Sequence, residues 1–183
     1  MHRSLPFVFL MFVWLSGRSQ VYQDANDQPH THSTEIGFMG ICDNHITNAA
    51  SDHLKASMDR VTGELTLQVD LRSVHYTSGD TSSGPFTSLP LPQFIFRGQP
   101  VRKTDAPISF QSGSYLMSGN LEINGISAPT TIYVNLSSGP SDTLYLSVDF
   151  DFALNTFHLE KLIKDCYNYY HVEIPEAILR PDL

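Results

Sequence analysis

The residues able to do chemistry in this chain are few, and most sit where a structural role is simpler. Asp149 and Asp151 are two apart, the spacing that puts two side chains on one face of a β-strand. Paired carboxylates of this kind can divide general-acid and general-base work. Their neighbours Val148, Phe150 and Phe152 take the opposite face, however, so the two acids read as part of a solvated outer surface. His30 and His32 show the same spacing, and with His171 on a predicted last strand they could ligate a transition metal. The Ser-, Thr- and His-rich surroundings read more simply as a solvated tether, and no metal is expected. Cys42 and Cys166 are the only thiols. One reading is a disulfide, worth about 4–5 kcal/mol across so long a loop. The other is a buried free thiol at Cys166, on the apolar face of a helix. Both stay open. Asn135-Leu136-Ser137 fits an N-glycosylation acceptor. No Gly-x-Ser-x-Gly elbow, His-Glu-x-x-His pair, phosphate-binding glycine loop or Cys-x-x-Cys is present. A Ser-His-Asp triad is a matter of geometry that scattered single residues do not establish. No catalytic residue and no cofactor are expected.

The elements that would position these groups announce themselves by period-2 alternation. Across 64–72, Leu65, Leu67, Val69 and Leu71 alternate with polar residues, as a strand with one wet face requires. Leu121 and Ile123 repeat the pattern across 120–124, and Ile132, Val134 and Leu136 repeat it across 131–136. The longest run, 143–154, places Leu144, Leu146, Val148, Phe150, Phe152 and Leu154 on one face. Further strands are expected at 35–42, 54–59, 92–98, 107–111 and 170–179. Thr62-Gly63 and Gly139-Pro140 punctuate these runs, and Asn124-Gly125 is a strong two-residue hairpin signal. The Ser-, Thr- and Gly-rich stretch 77–88 predicts a long mobile loop. Residues 43–53 are polar and ambiguous. In 156–167, Leu159, Leu162, Ile163 and Cys166 recur at helical spacing behind a candidate Thr156 cap, predicting one short helix. Tyr167, Tyr169 and Tyr170 form an aromatic cluster best explained by strand packing. About eight strands, tight turns and one short helix near the C-terminus make an all-β fold, antiparallel sandwich or barrel.

Composition bounds the partners. The chain has 183 residues, 16% of them charged, and a formal charge of −8. An acidic surface argues against nucleic acid, which is held through clustered Lys and Arg. No apolar run reaches the roughly 18 residues of a membrane span. The chain opens with His2-Arg3-Ser4, an apolar run from Leu5 to Leu15 and the small residues Ser16, Gly17 and Ser19. That is the layout of a secretory signal peptide. Residues 1–19 are therefore expected to be cleaved, taking Trp14, the only tryptophan, with them. Residues 20–34 read as a polar tether and 35–183 as the folded domain, with an exported, periplasmic or extracellular location.

The stretch 114–136, SYLMSGNLEINGISAPTTIYVNL, carries Gly119, Leu121, Ile123, Gly125, Pro129, Ile132 and Val134 in a Gly-x-Leu-x-Ile-x-Gly hairpin followed by an alternating strand. It resembles the central motif of the YceI-like family, exported bacterial proteins with a lipocalin-like antiparallel barrel. Asp59 and Gly63 match that family's earlier hairpin, and 148–154, 158–164 and 171–179 are similar to its closing strand, short helix and final strand. Leu89-Pro90-Leu91-Pro92-Gln93-Phe94-Ile95-Phe96 departs from the family's segment over the barrel mouth.

The resemblance implies a lipocalin-like barrel that holds a long apolar molecule, isoprenoid- or fatty-acid-like. Each CH₂ removed from water contributes about 0.8 kcal/mol, so a ten-carbon tail could supply roughly 8 kcal/mol before entropic costs. The candidate wall residues are Leu67, Val69, Phe94, Phe96, Phe110, Leu121, Ile123, Val134, Leu146, Val148 and Phe150. The alternative is a secreted, non-catalytic β-domain whose same residues fill a dry core and which acts through its outer surface or the 77–88 loop. The sequence leaves the oligomeric state open, a homodimer included.

Overall fold

The computed structural model describes residues 31, 34–78, 84–101, 112–163 and 166–180. Ten strands follow in chain order: β1 Ile36–Cys42, β2 His45–Ser51, β3 Lys55–Met58, β4 Leu65–Asp70, β5 His75–Tyr76, β6 Gln93–Pro100, β7 Gly113–Ile123, β8 Ile126–Ser138, β9 Leu144–Ala153 and β10 Cys166–Leu179. They pair antiparallel in one curled sheet, a half-barrel in the order β3-β4-β6-β7-β8-β9-β10-β1-β2-β5. The β3 edge is not left open. The Thr31 N–H donates to the Ala56 carbonyl at 2.9 Å, and the Leu54 N–H donates to the Thr34 carbonyl at 3.2 Å. The Thr34 hydroxyl in turn donates to the Glu176 carbonyl of β10 at 2.6 Å. Thr31 and Thr34 therefore bridge the β3 edge to β10. Both fall within the stretch expected to be a polar tether, and both hydrogen-bond to the sheet.

Eight of the nine expected strands lie among the described residues and are found, with β7 and β8 running well beyond the expected 120–124 and 131–136. The alternating runs become β4, β7, β8 and β9, and their apolar faces make the core. Leu65, Leu67 and Val69 of β4 are at most 1% exposed, and Leu146, Val148, Phe150 and Phe152 of β9 at most 5%. The count of ten among the described residues exceeds the expected eight or so because β2 and β5 join the eight expected strands found there. Polar 43–53 forms β2, paired with the whole of β1 from Ile36↔Ser51 to Cys42↔His45. Its outer face is wet and only Ala49 and Ser51 are buried, so no apolar alternation marks it. The expected strand 107–111 lies outside the described residues.

The expected helix at 156–167 is not formed. A 3-10 turn at Leu154–Phe157 ends at His158, whose φ of 54° is left-handed. Turns follow up to Ile163, with Leu159 and Ile163 buried, and Cys166 opens β10 opposite Cys42. Apolar residues at helical spacing here pin an irregular cap to the core. Pairing with β1 claims Cys166 for a strand.

Two-residue hairpins set the register of the strands they join. Asn124 and Gly125 have φ of 53° and 77°, as a type I′ turn requires, and Asp43 and Asn44 have 50° and 62°. Replacing Gly125 by Ala puts a Cβ in left-handed backbone and 2.9 Å from Leu91 Cδ1, so the unfolding free energy should fall by about 1–2 kcal/mol. At Gly113 an added Cβ meets nothing within 4 Å. Urea denaturation should therefore show a lower midpoint for Gly125→Ala and none of that loss for Gly113→Ala.

Candidate ligand-binding site

The inward faces of the strands converge on one apolar interior. Among the described residues the buried polar side chains are Thr31, Ser51 and the Tyr170 phenol, and no charged residue is buried. Ser51 is satisfied by Ser73, their hydroxyls 2.6 Å apart. Of the expected wall residues, ten lie in this interior: Leu67 and Val69 on β4, Phe94 and Phe96 on β6, Leu121 and Ile123 on β7, Val134 on β8, and Leu146, Val148 and Phe150 on β9. Cross-strand register sets several of them side by side, with Leu67 opposite Phe96, Val69 opposite Phe94, Phe94 opposite Ile123, and Val134 opposite Val148. Phe110 lies outside the described residues.

The structure adds aromatic residues that the sequence pattern does not single out as wall. Phe38 of β1 packs edge-on against Phe86 with centroids 5.2 Å apart and against Phe94 at 5.8 Å. Phe94 meets Phe150 at 6.2 Å. On the other side Tyr170 of β10 lies 5.7 Å from Phe86 and stacks on Phe152 at 5.9 Å, and Phe152 packs edge-on against Phe157. Phe38, Phe152 and Tyr170 carry a signal, each being in phase with apolar neighbours on its strand. Phe86 carries none: it stands in the stretch expected to be a mobile loop, yet is fully buried.

Tyr170 links the interior to the two cysteines. Its hydroxyl lies 3.5 Å from Cys42 Sγ and 3.7 Å from Cys166 Sγ. The cysteines are joined, which decides between the two readings left open by the sequence. The bridge crosses directly between β1 and β10, where Cys42 pairs with Cys166. A Cβ on Gly40 would stand 2.7 Å from the Tyr170 Cζ, so only glycine on β1 leaves room for this ring. Burial pushes the Tyr170 hydroxyl up to about 12 from the ordinary 10, with Tyr76 adding to the shift. Tyr167 and Tyr169, on alternate positions, point outward and are more than half exposed.

The candidates for acid–base or metal chemistry lie away from this interior. Asp149 and Asp151 project from the outer face of β9, two-thirds exposed, and His171 of β10 bridges them. Its Nδ1 is 2.9 Å from Asp151 and its Nε2 3.3 Å from Asp149. Among the described residues no group of three or more His, Cys, Asp and Glu is placed to hold a metal ion. His30 and His32 lie outside the described residues. A shallow outer groove of about 180 Å³ runs beside His171, between Glu35, Gly37, Asn48, Thr77 and Glu173.

No protein-family model and no curated protein matches the chain. Solved structures do. A polyisoprenoid-binding domain from Saccharophagus degradans, implicated in plant cell wall breakdown, superimposes with a TM-score of 0.63 at 14% identity, over 85% of this chain and 99% of that one. BcnA of Burkholderia cenocepacia superimposes with a TM-score of 0.56 at 14% identity, over 79% of this chain and 94% of its own. The chain shares their fold. A YceI protein of Campylobacter jejuni aligns less closely, at 0.44 and 17% identity over 68% of this chain and 79% of its own.

Two outcomes test the seam. Reducing the bridge, or replacing both cysteines by serine, opens a loop of 124 residues and should cost about 5 kcal/mol of stability in the chain-entropy treatment. A urea midpoint indifferent to reductant would contradict this. For Tyr170, an unfolded tyrosine ionises near 10 while the folded one keeps its proton to about 12. The unfolded chain thus binds fewer protons in that window, and stability falls as pH rises from about 10 to about 12. Tyr170→Phe should flatten that fall in unfolding free energies measured at about pH 9 and about pH 11; an unchanged slope would count against a buried hydroxyl.

Proposed function

We propose that the protein is an exported, non-catalytic carrier of a long apolar lipid, isoprenoid- or fatty-acid-like, held within the barrel in the manner of YceI-like proteins. The observation that carries this reading is the interior itself. It is aliphatic and aromatic, and none of its described side chains is charged, so it suits a molecule that needs shelter from water more than a polar hold. The likeness in fold to a polyisoprenoid-binding domain supports it. Export is supported by the leader-like layout of 1–19 and by the Cys42–Cys166 bridge, since disulfides persist in oxidising compartments. No helix among the described residues is long and apolar enough to cross a membrane.

A second reading has an observation of its own. The ten described wall residues belong to one buried cluster and are at most 5% exposed, as in a filled core that serves only as scaffold for an outer interaction surface.

The two readings part on substitution. Val134 and Val148 face each other across β8 and β9. Replacing Val134 by Trp in the secreted protein should lower uptake of cis-parinaric acid, a fluorescent polyene fatty acid, by at least tenfold if the ring occupies ligand space. In a core already filled, the wild type takes up no probe and the same substitution only destabilises, typically by about 1–3 kcal/mol. Organic extraction of the protein from its producing cells, followed by mass spectrometry, should release a long-chain apolar compound.

A further inference from the structure

We propose that Phe86 is a displaceable plug, seated where a bound apolar chain must pass, so that loading requires segment 84–89 to swing out. The proposal rests on the carrier reading and concerns how that site is opened. Among the described residues the ring contacts of the interior fall into two groups, Phe38 with Phe94 and Phe150, and Tyr170 with Phe152 and Phe157. Phe86 is the ring that touches both, at 5.2 Å from Phe38 and 5.7 Å from Tyr170. Its neighbours in these contacts differ from it in how they are held. Phe38, Phe94, Phe150, Phe152 and Tyr170 all sit in strands paired on both sides. Residues 84–89 belong to no strand.

Their bonds are few, and all but one stay within the segment, where the Thr87 hydroxyl donates to the Gly84 carbonyl at 3.1 Å. The Thr87 N–H donates to the Gly84 carbonyl at 3.4 Å and the Leu89 N–H to the Phe86 carbonyl at 3.2 Å. The Ser88 hydroxyl reaches the Leu162 carbonyl at 3.5 Å. Swinging the segment out therefore breaks no ladder bond; it withdraws the buried Phe86 and Leu89 side chains, apolar surface of the kind a lipid tail can replace. Gly84 fixes the pivot: a Cβ there would overlap the Val74 carbonyl oxygen, so the segment enters the barrel by passing close over the chain ahead of β5.

Stopped-flow binding of cis-parinaric acid to the full disulfide-bonded protein tests this. Phe86→Ala should speed association at least tenfold, and binding by Phe86→Ala where the wild type binds slowly or not at all supports the plug equally. A folded Phe86→Ala that binds at the wild-type rate overturns the plug while leaving the carrier reading standing. Failure of both proteins to bind overturns the two together. Hydrogen exchange on the wild type decides the matter without the variant, should Phe86→Ala not fold. Saturating probe should speed exchange at the Thr87 and Leu89 amides while slowing it in β6 and β9. Slower or unchanged exchange at Thr87 and Leu89, with probe bound, overturns the plug.

Discussion

The seam between β1 and β10 is the constraint on which the rest of the barrel depends. A curled sheet must bring distant parts of the chain together, and here a seven-residue strand near the start lies against a fourteen-residue strand at the end. Closing so long a loop is entropically costly, and the Cys42–Cys166 bridge removes much of that cost by constraining the unfolded chain. The register shifts between Gly40 and Cys42, and beside that irregularity Gly40 makes room for the Tyr170 ring. Tyr170 then carries the seam inward, through Phe152 on one side and Phe86 on the other. The residues flanking the seam, Thr34 and Glu176, tie in the β3 edge. Seam, bridge and aromatic interior are thus one connected arrangement.

How much of this is legible in the sequence follows from what a strand can and cannot display. β4, β7, β8 and β9 have one dry and one wet face, and such strands write their burial directly into alternation. β2 does not, because its inner face buries only Ala49 and Ser51; β5 is two residues long and leaves no pattern at all. Leu159 and Ile163 mimic a helix face because a cap that touches the core every few residues has the same spacing as a helix. The wall residues on the alternating strands are legible for the same reason as the strands. Phe86 is not: loop composition reports the solvent preference of its Ser, Thr and Gly neighbours, whereas the burial of one ring among them is decided by distant strands. The cysteine pairing is equally a tertiary fact, fixed by β1 lying beside β10.

The chemistry of the interior differs from that of the surface in a way that bears on function. Outside, a half-buried His171 gathers the exposed carboxylates of Asp149 and Asp151, an arrangement that a solvated face accommodates readily. Inside, the described polar groups are few: Ser51 is hydrogen-bonded to Ser73, and the Tyr170 hydroxyl lies against the two bridge sulfurs. An interior of this kind offers an apolar guest dispersion contacts and escape from water, with little directional bonding. Selectivity in such a site comes from length and girth. On the carrier reading, that places weight on the rings at the centre of the interior, Phe86 and Phe38 above all, and on the inward residues of β8 and β9.

A barrel that works as a container should be found with its cargo. A crystal structure of the protein, isolated from its producing cells without detergent, tests this most directly. Continuous elongated density is expected inside the barrel, bounded by Phe94, Phe150 and Val134, with Phe86 turned away from Phe38. An interior closed by those same side chains, with Phe86 in place and no density for a guest even after incubation with excess lipid, would contradict the container.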